Sequence, residues 1–158
     1  MGARDPTSPS DDVEVFNPLG TLAKAFVPQH LAQRALSVAV SVDPEVAAVD
    51  EPVEVAVTLR NRLPLPVALT TAGGRLWGWS VDGAVSARAG PRRVAGGPRT
   101  LELDARERRT LRRTWRGRIR QPGPPRRWEP VAPGEHEVVG FVDLSTRSVV
   151  DRATVRIR

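Results

Sequence analysis

The alternation of hydrophobic and polar residues from Leu36 onward predicts a β-rich domain. In 36–43 every second residue is Leu or Val, and in 53–60 Val and Leu alternate with Glu, Ala, Thr and Arg. A period of two residues is typical of strands that are buried on one face. Similar short patterns separated by Gly- and Pro-containing turns predict further strands near residues 67–69, 75–81, 101–103, 135–144 and 152–158.

These seven or eight short strands predict an all-β fold, an antiparallel β-sandwich formed by residues 36–158. No long helical pattern separates the strands, which argues against a parallel α/β sheet. The chain of 158 residues suits one domain of ordinary size. Two prolines, Pro64 and Pro66, predict a sheet edge or an exposed corner, and the Pro-rich stretch 121–134 predicts a loop.

The residues before the sandwich divide into two predicted segments. Residues 1–15 are rich in Pro, Ser and Asp and predict a disordered tail. Residues 16–35 predict a cover segment with short helical turns, in which Pro28 starts a second turn that carries Leu31, Ala32 and Ala35. Such a segment covers the end of its own domain, or it lies on a membrane or in the groove of a partner.

An arginine-rich segment over residues 106–120 contains eight arginines in fifteen positions. On a helical wheel these arginines fall on all sides, whereas in an extended chain every even position is Arg or Thr. The odd positions include Leu111 and Trp115, with Arg113 as an exception that must snorkel, pair or lie at the sheet margin. The pattern therefore predicts a strand with a row of guanidiniums on one face. The 101–104 strand just before it could supply carboxylates across the ladder.

Charge makes the two halves of the chain different. Residues 1–82 carry six basic and ten acidic side chains, and residues 83–158 carry 18 basic and eight acidic, within a net charge of +6. Such asymmetry can mark an acidic partner. The chain also has 23 Arg and one Lys, a bias that looks like codon composition acting on every surface position.

Two interpretations of the arginines follow. The first is an electropositive face that binds phosphates or an acidic protein, with Trp128 as a stacking platform. The second is a solvated outer face, or an edge strand protected by charge. No known nucleic-acid-binding signature is present. The residues predicted to bind a polyanion or a partner are Arg106, Arg108, Arg112, Arg116, Arg118, Arg120, Arg126, Arg127 and Trp128.

Catalytic and metal-binding motifs are absent from the sequence. There is no cysteine, and no HExxH, GxSxG, P-loop or GxGxxG pattern occurs. Of the two histidines, His136 lies in a predicted strand and is interpreted as a structural side chain. The other tryptophans, Trp77, Trp79 and Trp115, are interpreted as core residues or as an aromatic patch for a partner. The sequence therefore predicts no catalytic residue, no metal and no cofactor, and favours a protein that is not an enzyme.

Residues 50–144 resemble the intracellular proteinase inhibitor (BsuPI) domain. The resemblance rests on Asn61 at the end of a strand, on Leu76-Trp77-Gly78-Trp79-Ser80, on Thr114-Trp115 and on the stretch 133–138, where His136 replaces a usual aromatic. It implies an immunoglobulin-like sandwich with a protein-binding role, and it identifies no inhibitory residue. The arginine row and residues 16–36 have no counterpart in that family.

The leading functional expectation is a non-catalytic protein-interaction module, with a protease among the partners that the resemblance suggests. The alternative is binding of nucleic acid or another polyanion through the arginine face. No run of about 18 apolar residues occurs, so no transmembrane segment is expected. The start of the chain lacks the apolar region of a signal peptide, and together these features favour a cytoplasmic protein.

Overall fold

The computed structural model describes residues 27–74, 76–83, 97–121, 124–125 and 127–158. Within this part of the chain a single helix, α1 (Gln29–Ala35), precedes eleven strands. The strands are β1 (Leu36–Asp43), β2 (Val46–Ala47), β3 (Val53–Asn61), β4 (Val67–Thr70), β5 (Gly78–Val81), β6 (Thr100–Leu103), β7 (Arg108–Trp115), β8 (Arg118–Arg120), β9 (Trp128–Pro130), β10 (Gly134–Asp143) and β11 (Ser148–Ile157).

Two main sheets form an immunoglobulin-like sandwich. One has the order β1-β3-β7, and the other has the order β2-β11-β10-β5. All pairings are antiparallel except that of β2 with β11. Two short ribbons, β4-β6 and β8-β9, complete the described part of the fold. The predicted all-β sandwich is confirmed.

The core lies between the two sheets and is made of the apolar positions that alternate along the strands. Val55, Val57 and Leu59 of β3 are at most 1 % exposed, and Val138 and Val142 of β10 are fully buried. The sheets approach closely at Gly140 of β10, where an added Cβ would lie 3.1 Å from the Cβ of Val40. β1 packs across β10 and β11, so this glycine permits the close contact.

Helix α1 begins after Pro28 and is attached to the sandwich through Gln33. The carbonyl of Pro28 accepts hydrogen bonds from the amides of Leu31 and Ala32, which begins the helix where the sequence predicted its second turn. Gln33 is buried. Its side-chain oxygen accepts a hydrogen bond from the hydroxyl of Thr146, and its backbone carbonyl accepts one from Arg147 Nη2. The predicted tail, residues 1–15, and the first part of the cover segment lie outside the described residues.

Asn61 fixes the corner between β3 and β4. The side chain is fully buried, and its amide donates to the carbonyls of Leu65, at 2.7 Å, and Asp104, at 2.8 Å. Its Oδ1 accepts from the amide of Leu63 at 3.0 Å. All the hydrogen-bonding atoms of this buried amide side chain are thus used to hold two turns together.

The arginine segment is extended, as predicted, but it is not one strand. Arg106 lies in a turn with a φ of 59°, β7 begins at Arg108, and the chain leaves the sheet after Trp115. Gly117, with a φ of 63°, then redirects the chain into β8. A left-handed conformation interrupts an extended strand, so the predicted continuous row of guanidiniums is wrong.

Two other expectations are corrected. The 101–104 strand does not pair with the arginine segment, because β6 pairs with β4 and β7 pairs with β3. The predicted loop 121–134 contains β9, whose three residues pair with β8. Neither pairing leaves a signal in local sequence, since both depend on backbone contacts between distant segments. Most of the other predicted loop, residues 84–98, lies outside the described residues.

Candidate functional site

The outward face of β7 is only partly free to bind a ligand. Arg112 pairs with Glu54 of β3, with 2.6 Å between Nη1 and Oε1. The next outward position is Thr110, whose hydroxyl lies 2.9 Å from that of Thr58. Arg108 lies directly opposite Arg60 in the ladder. The carboxylate that pairs with Arg112 therefore comes from β3, and not from β6 as the sequence suggested.

Arg60 and Arg108 form a like-charged pair on the exposed surface. Both side chains are exposed, and neither has an ion pair or side-chain hydrogen bond with any residue that the structure describes. Directly opposite residues in an antiparallel ladder have Cβ atoms about 5 Å apart, and like charges at this distance are destabilising. This end of the sheet is consequently suited to an anionic ligand.

The inward face of β7 carries the two arginines that break the alternation. Arg109 donates to Glu107 Oε1 at 2.7 Å and to the carbonyl of Glu102 at 3.1 Å. The guanidinium of Arg113 lies 5.8 Å from the ring centre of Trp77, within the range of a cation–π contact. As the sequence required, Arg113 reaches the sheet margin and does not enter the core.

The tryptophans that precede β8 in the chain, Trp77, Trp79 and Trp115, contribute to packing. Trp79 is 6 % exposed and Trp115 is 4 % exposed, and Trp77 packs against the core. The indole of Trp115 donates to the carbonyl of Arg118 at 2.8 Å. These residues stabilise the sandwich and present no aromatic patch.

Trp128 has a different environment, because it lies on the β8-β9 ribbon and is 46 % exposed. Arg120 is directly opposite Trp128, Arg118 is opposite Pro130, and Ile119 is opposite Glu129. Alternation places Arg118, Arg120, Trp128 and Pro130 on one face. Ile119, on the other face, packs against the core. Arg127 precedes Trp128 and is exposed, and Arg126 lies outside the described residues.

An ion pair joins the ribbon to the turn before β3. Arg118 Nε lies 2.9 Å from Asp50 Oδ1, and its Nη2 lies 3.3 Å from Oδ2. The hydrogen bond from Arg118 lowers the pKa of Asp50 and outweighs the opposing effect of burial, while the weaker effects of the positive charges of Arg118 and Arg116 also lower this pKa. The same bond raises the pKa of Arg118. Arg118 is therefore committed to Asp50, unlike its neighbours Arg116 and Arg120.

An apolar cleft lies between α1 and the 62–65 corner. Its volume is about 470 Å³, and its lining consists of Val27, Pro28, Leu31, Arg34, Ala35, Arg62, Leu63 and Leu65. Leu31 and Leu65 are 46 % and 49 % exposed. This site could not be predicted from the sequence, because the two sides of the cleft are some thirty residues apart and each side alone predicts only a cover segment or a turn.

The cleft has basic residues at its edge. Arg34 and Arg62 are part of its lining, and both are exposed. Arg106 Nη1 donates to the carbonyl of Arg62 at 2.5 Å, which places the turn before β7 against the cleft. Arg60, one residue before Asn61, extends the positive charge from the cleft to Arg108. An apolar cavity thus adjoins a positively charged surface.

His136 is a structural residue, as the sequence indicated. It is 8 % exposed, its Nδ1 lies 2.6 Å from Asp82 Oδ2, and its Nε2 donates to the carbonyl of Ala132 at 2.7 Å. Its ring makes an edge contact with Trp115, with 6.4 Å between centroids. Among the described residues no group of three or more His, Cys, Asp or Glu side chains is placed to hold a metal ion.

Comparison with solved structures gives distant similarities in fold. The CARDB domain of a Pyrococcus furiosus protein is 18 % identical, with a TM-score of 0.48, and the match covers 78 % of this chain and 94 % of that one. The alkylpurine DNA glycosylase AlkC of Pseudomonas fluorescens, bound to DNA containing an abasic site analog, is 16 % identical, with a TM-score of 0.46, over 89 % of this chain and 35 % of that one. A β-glucosidase of Listeria innocua is 14 % identical, with a TM-score of 0.44, over 78 % of this chain and 16 % of that one.

The search of curated proteins finds no match to the chain. In the described part of the structure, no helix has the length and apolar character needed to cross a bilayer. One family model matches residues 24–158, a range that includes α1, the apolar cleft and the whole sandwich. The chain therefore belongs to this family, a family of unknown function designated DUF7974.

Proposed function

We propose that this protein is a non-catalytic interaction module whose apolar cleft binds an acidic segment of another protein through an apolar side chain. The observation that carries the proposal is the juxtaposition of the cleft with arginines that lack acidic partners among the described residues. The absence of a catalytic motif from the sequence also supports a module that acts by binding.

The apolar part of the cleft favours a side chain such as Leu or Phe. Leu31 and Leu65 leave about half of their surfaces exposed, on opposite sides of a concave site. Concave apolar sites with a few polar groups at the margin are typical of binding sites. Full burial of one Leu or Phe side chain contributes about 1.5–3 kcal/mol, which is enough to anchor a short segment.

The charge around the cleft favours an acidic partner. Arg34 and Arg62 lie in the lining, and Arg60 and Arg108 extend the positive surface along the sheet. Carboxylates on either side of the apolar anchor would relieve the repulsion between Arg60 and Arg108 and form charge-assisted hydrogen bonds. Complementary charge also increases the rate of encounter between partners.

Fluorescence polarization with the full chain tests the proposal. The probe is a fluorescein-labelled peptide with the sequence Glu-Glu-Leu-Phe-Glu-Glu. We expect Leu65→Asp to weaken binding at least about tenfold, because the substitution places a negative charge in an apolar site facing an acidic ligand. The matched control is Val150→Asp, which changes a valine of similar exposure (44 %) on β11.

Equal binding by the Leu65→Asp and Val150→Asp proteins would contradict the proposal, provided that their melting temperatures agree. A wild-type chain that does not bind the peptide would also contradict it. A second variant, Arg62→Glu, checks the charge requirement. It is expected to weaken binding of the acidic peptide and to restore binding of a peptide in which lysines replace the glutamates.

The resemblance to proteinase inhibitor domains extends the proposal to a protease as the partner, in the cytoplasm. Its support is the sequence resemblance alone. Titration against a panel of intracellular serine proteases tests this extension, with stoichiometric inhibition that Leu65→Asp removes as the expected result. If no protease is inhibited or bound, the protease is eliminated as a partner, while the peptide experiment still decides whether the cleft binds an acidic segment.

A further inference from the structure

We propose that the β8-β9 ribbon is a second binding site, separate from the cleft, which takes single-stranded nucleic acid by stacking a base on Trp128. The ribbon face that carries the site is formed by Arg118, Arg120, Trp128 and Pro130. Trp128 is 46 % exposed, whereas Trp79 and Trp115 are 6 % and 4 % exposed. An indole held open to solvent beside cations is the arrangement used to bind single strands without sequence preference.

The ribbon is held firmly enough to serve as a platform. Ile119 packs against the core behind it. The amide of Val131 donates to the carbonyl of Gly117 at 2.8 Å, and the buried indole of Trp115 donates to the carbonyl of Arg118. The Asp50–Arg118 ion pair adds a connection to the turn before β3. A preorganised platform lowers the entropic cost of binding.

The cations around Trp128 are available to phosphates. Arg120 is directly opposite Trp128, Arg127 precedes it, and neither side chain has an ion pair with a residue in the described part of the chain. The guanidinium of Arg113 lies on Trp77, but no such contact covers the indole of Trp128 among the described side chains. Arg118 is already paired with Asp50, so it contributes to the platform and less to the ligand.

Acidic groups near the ribbon leave the positive charge around Trp128 available. Glu129 alternates to the same side as Ile119, and its Oε2 accepts from Gln121 Nε2 at 3.0 Å. Asp50 is occupied by Arg118. The face around Trp128 therefore combines a flat aromatic surface with net positive charge.

The exposed indole decides between possible anionic ligands. A base offers a π-face that stacks on indole, whereas the carboxylates of an acidic protein offer only charge. A duplex does not suit the site, because its bases are stacked inside and cannot reach the indole. The β8-β9 ribbon is also too short, at three residues per strand, to enter a groove as a helix or a long ribbon does. A single strand, whose bases can turn outward, uses both properties of the site.

Polarization of fluorescein-labelled oligo(dT) and oligo(rU), each 15 nucleotides long, tests the proposal with the full chain at 50 and 200 mM NaCl. We expect Trp128→Ala to weaken binding about tenfold and Trp128→Phe to retain it within about twofold, because phenylalanine preserves a stacking surface. The double variant Arg120→Ser/Arg127→Ser should weaken binding and reduce its dependence on salt. Its matched control, Arg152→Ser/Arg156→Ser, removes the same charge from β11, where both arginines are paired with glutamates.

Two results would overturn the proposal. Binding by Trp128→Ala within twofold of wild type would reveal attraction to net charge alone, since this variant keeps every arginine. Equal losses in the two double arginine variants would lead to the same conclusion. Leu65→Asp is expected to leave oligonucleotide binding unchanged, so the cleft and the ribbon can fail independently.

Discussion

At the residue scale, single polar side chains connect segments that are far apart in sequence. Asn61 binds two turns, His136 joins the Asp82 turn to the Ala132 carbonyl, and Gln33 joins α1 to the turn before β11. All three residues are buried, and the side-chain polar atoms of Asn61 and His136 all have hydrogen-bond partners. Such residues fix the relative position of loops in a way that apolar packing alone does not.

Replacement of Asn61 tests this function at the corner of the apolar cleft. We expect Asn61→Ala to lower the free energy of unfolding by about 2–3 kcal/mol, since it leaves two carbonyls and one amide without their partner. Asn61→Asp should be destabilised as well, because a carboxylate cannot donate to the carbonyls of Leu65 and Asp104. Urea unfolding measures both.

Thr110→Ala is the control for that experiment, since it removes a hydrogen bond at an exposed position on β7 and should change stability by less than about 0.5 kcal/mol. A loss below about 1 kcal/mol in the Asn61→Ala protein would show that water replaces the missing amide and that the corner does not depend on it.

At the element scale, strand identity was readable from sequence and strand pairing was not. The alternation in β1, β3, β10 and β11 predicted these strands because each has one face that is more buried than the other. β2, β8 and β9 have two or three residues, too few for a period to appear. The partner of β6 depends on the path of the whole chain, so local pattern could not distinguish β4 from β7.

The candidate site divides in the same way. The exposed Trp128 and the arginines around it were predicted from residue type and spacing. The ion pairs Arg112–Glu54 and Arg118–Asp50 were not, because their partners lie 58 and 68 residues away in sequence. Likewise, the cleft appears only once Leu31 and Leu65 are brought together by the fold. Chemistry that requires one residue type was predictable, and chemistry that requires a contact was not.

The contact between the two sheets gives a prediction about Gly140. We expect Gly140→Ala to lower the free energy of unfolding by about 1–3 kcal/mol, because its Cβ would lie 3.1 Å from Val40 Cβ and 3.2 Å from a methyl group of Val57. Valine side chains have few rotamers with which to move away. Thermal or urea unfolding measures the change.

Gly97→Ala serves as the control, since no atom of a described residue lies within 4 Å of the added Cβ at that glycine. Its stability should be unchanged or slightly raised, as the unfolded chain loses freedom. Equal stability of the two alanine variants would contradict the prediction, because it would mean that the sheets can move apart at Gly140 without a loss of free energy of unfolding.

At the scale of the whole molecule, the arginines behind the net charge of +6 differ in whether a carboxylate neutralises them. Arg112, Arg118, Arg152 and Arg156 are paired with carboxylates. Near the cleft, Arg34, Arg60, Arg62 and Arg108 have no acidic partner in the described part of the chain, and near Trp128 the same holds for Arg120 and Arg127. Both proposed binding surfaces thus carry positive charge that is available to a ligand.

Charge reversal at Arg108 tests this arrangement. Arg108→Glu should raise the free energy of unfolding by about 0.2–1 kcal/mol at 20 mM NaCl, because an opposite-charge pair with Arg60 replaces a like-charge pair. The gain should largely disappear at 500 mM NaCl through screening.

Arg112→Glu is expected to change stability in the opposite direction, since it breaks the bond to Glu54 and creates a repulsive pair. Thermal unfolding at both salt concentrations distinguishes the two variants. A loss of stability in both would show that Arg108 stabilises the sheet and is not held there for a ligand.

The position of β7 has a consequence for how copies of this protein behave towards one another. Among the described strands β7 pairs with β3 on one side only, so its other side could accept the backbone of a second molecule. Charged side chains on both faces of that strand, with Arg109 and Arg113 pointing inward, oppose such docking because a neighbouring chain would have to bury them. We therefore expect positive charge along this strand to oppose fibre-like self-assembly in a crowded solution, whichever ligands the protein binds.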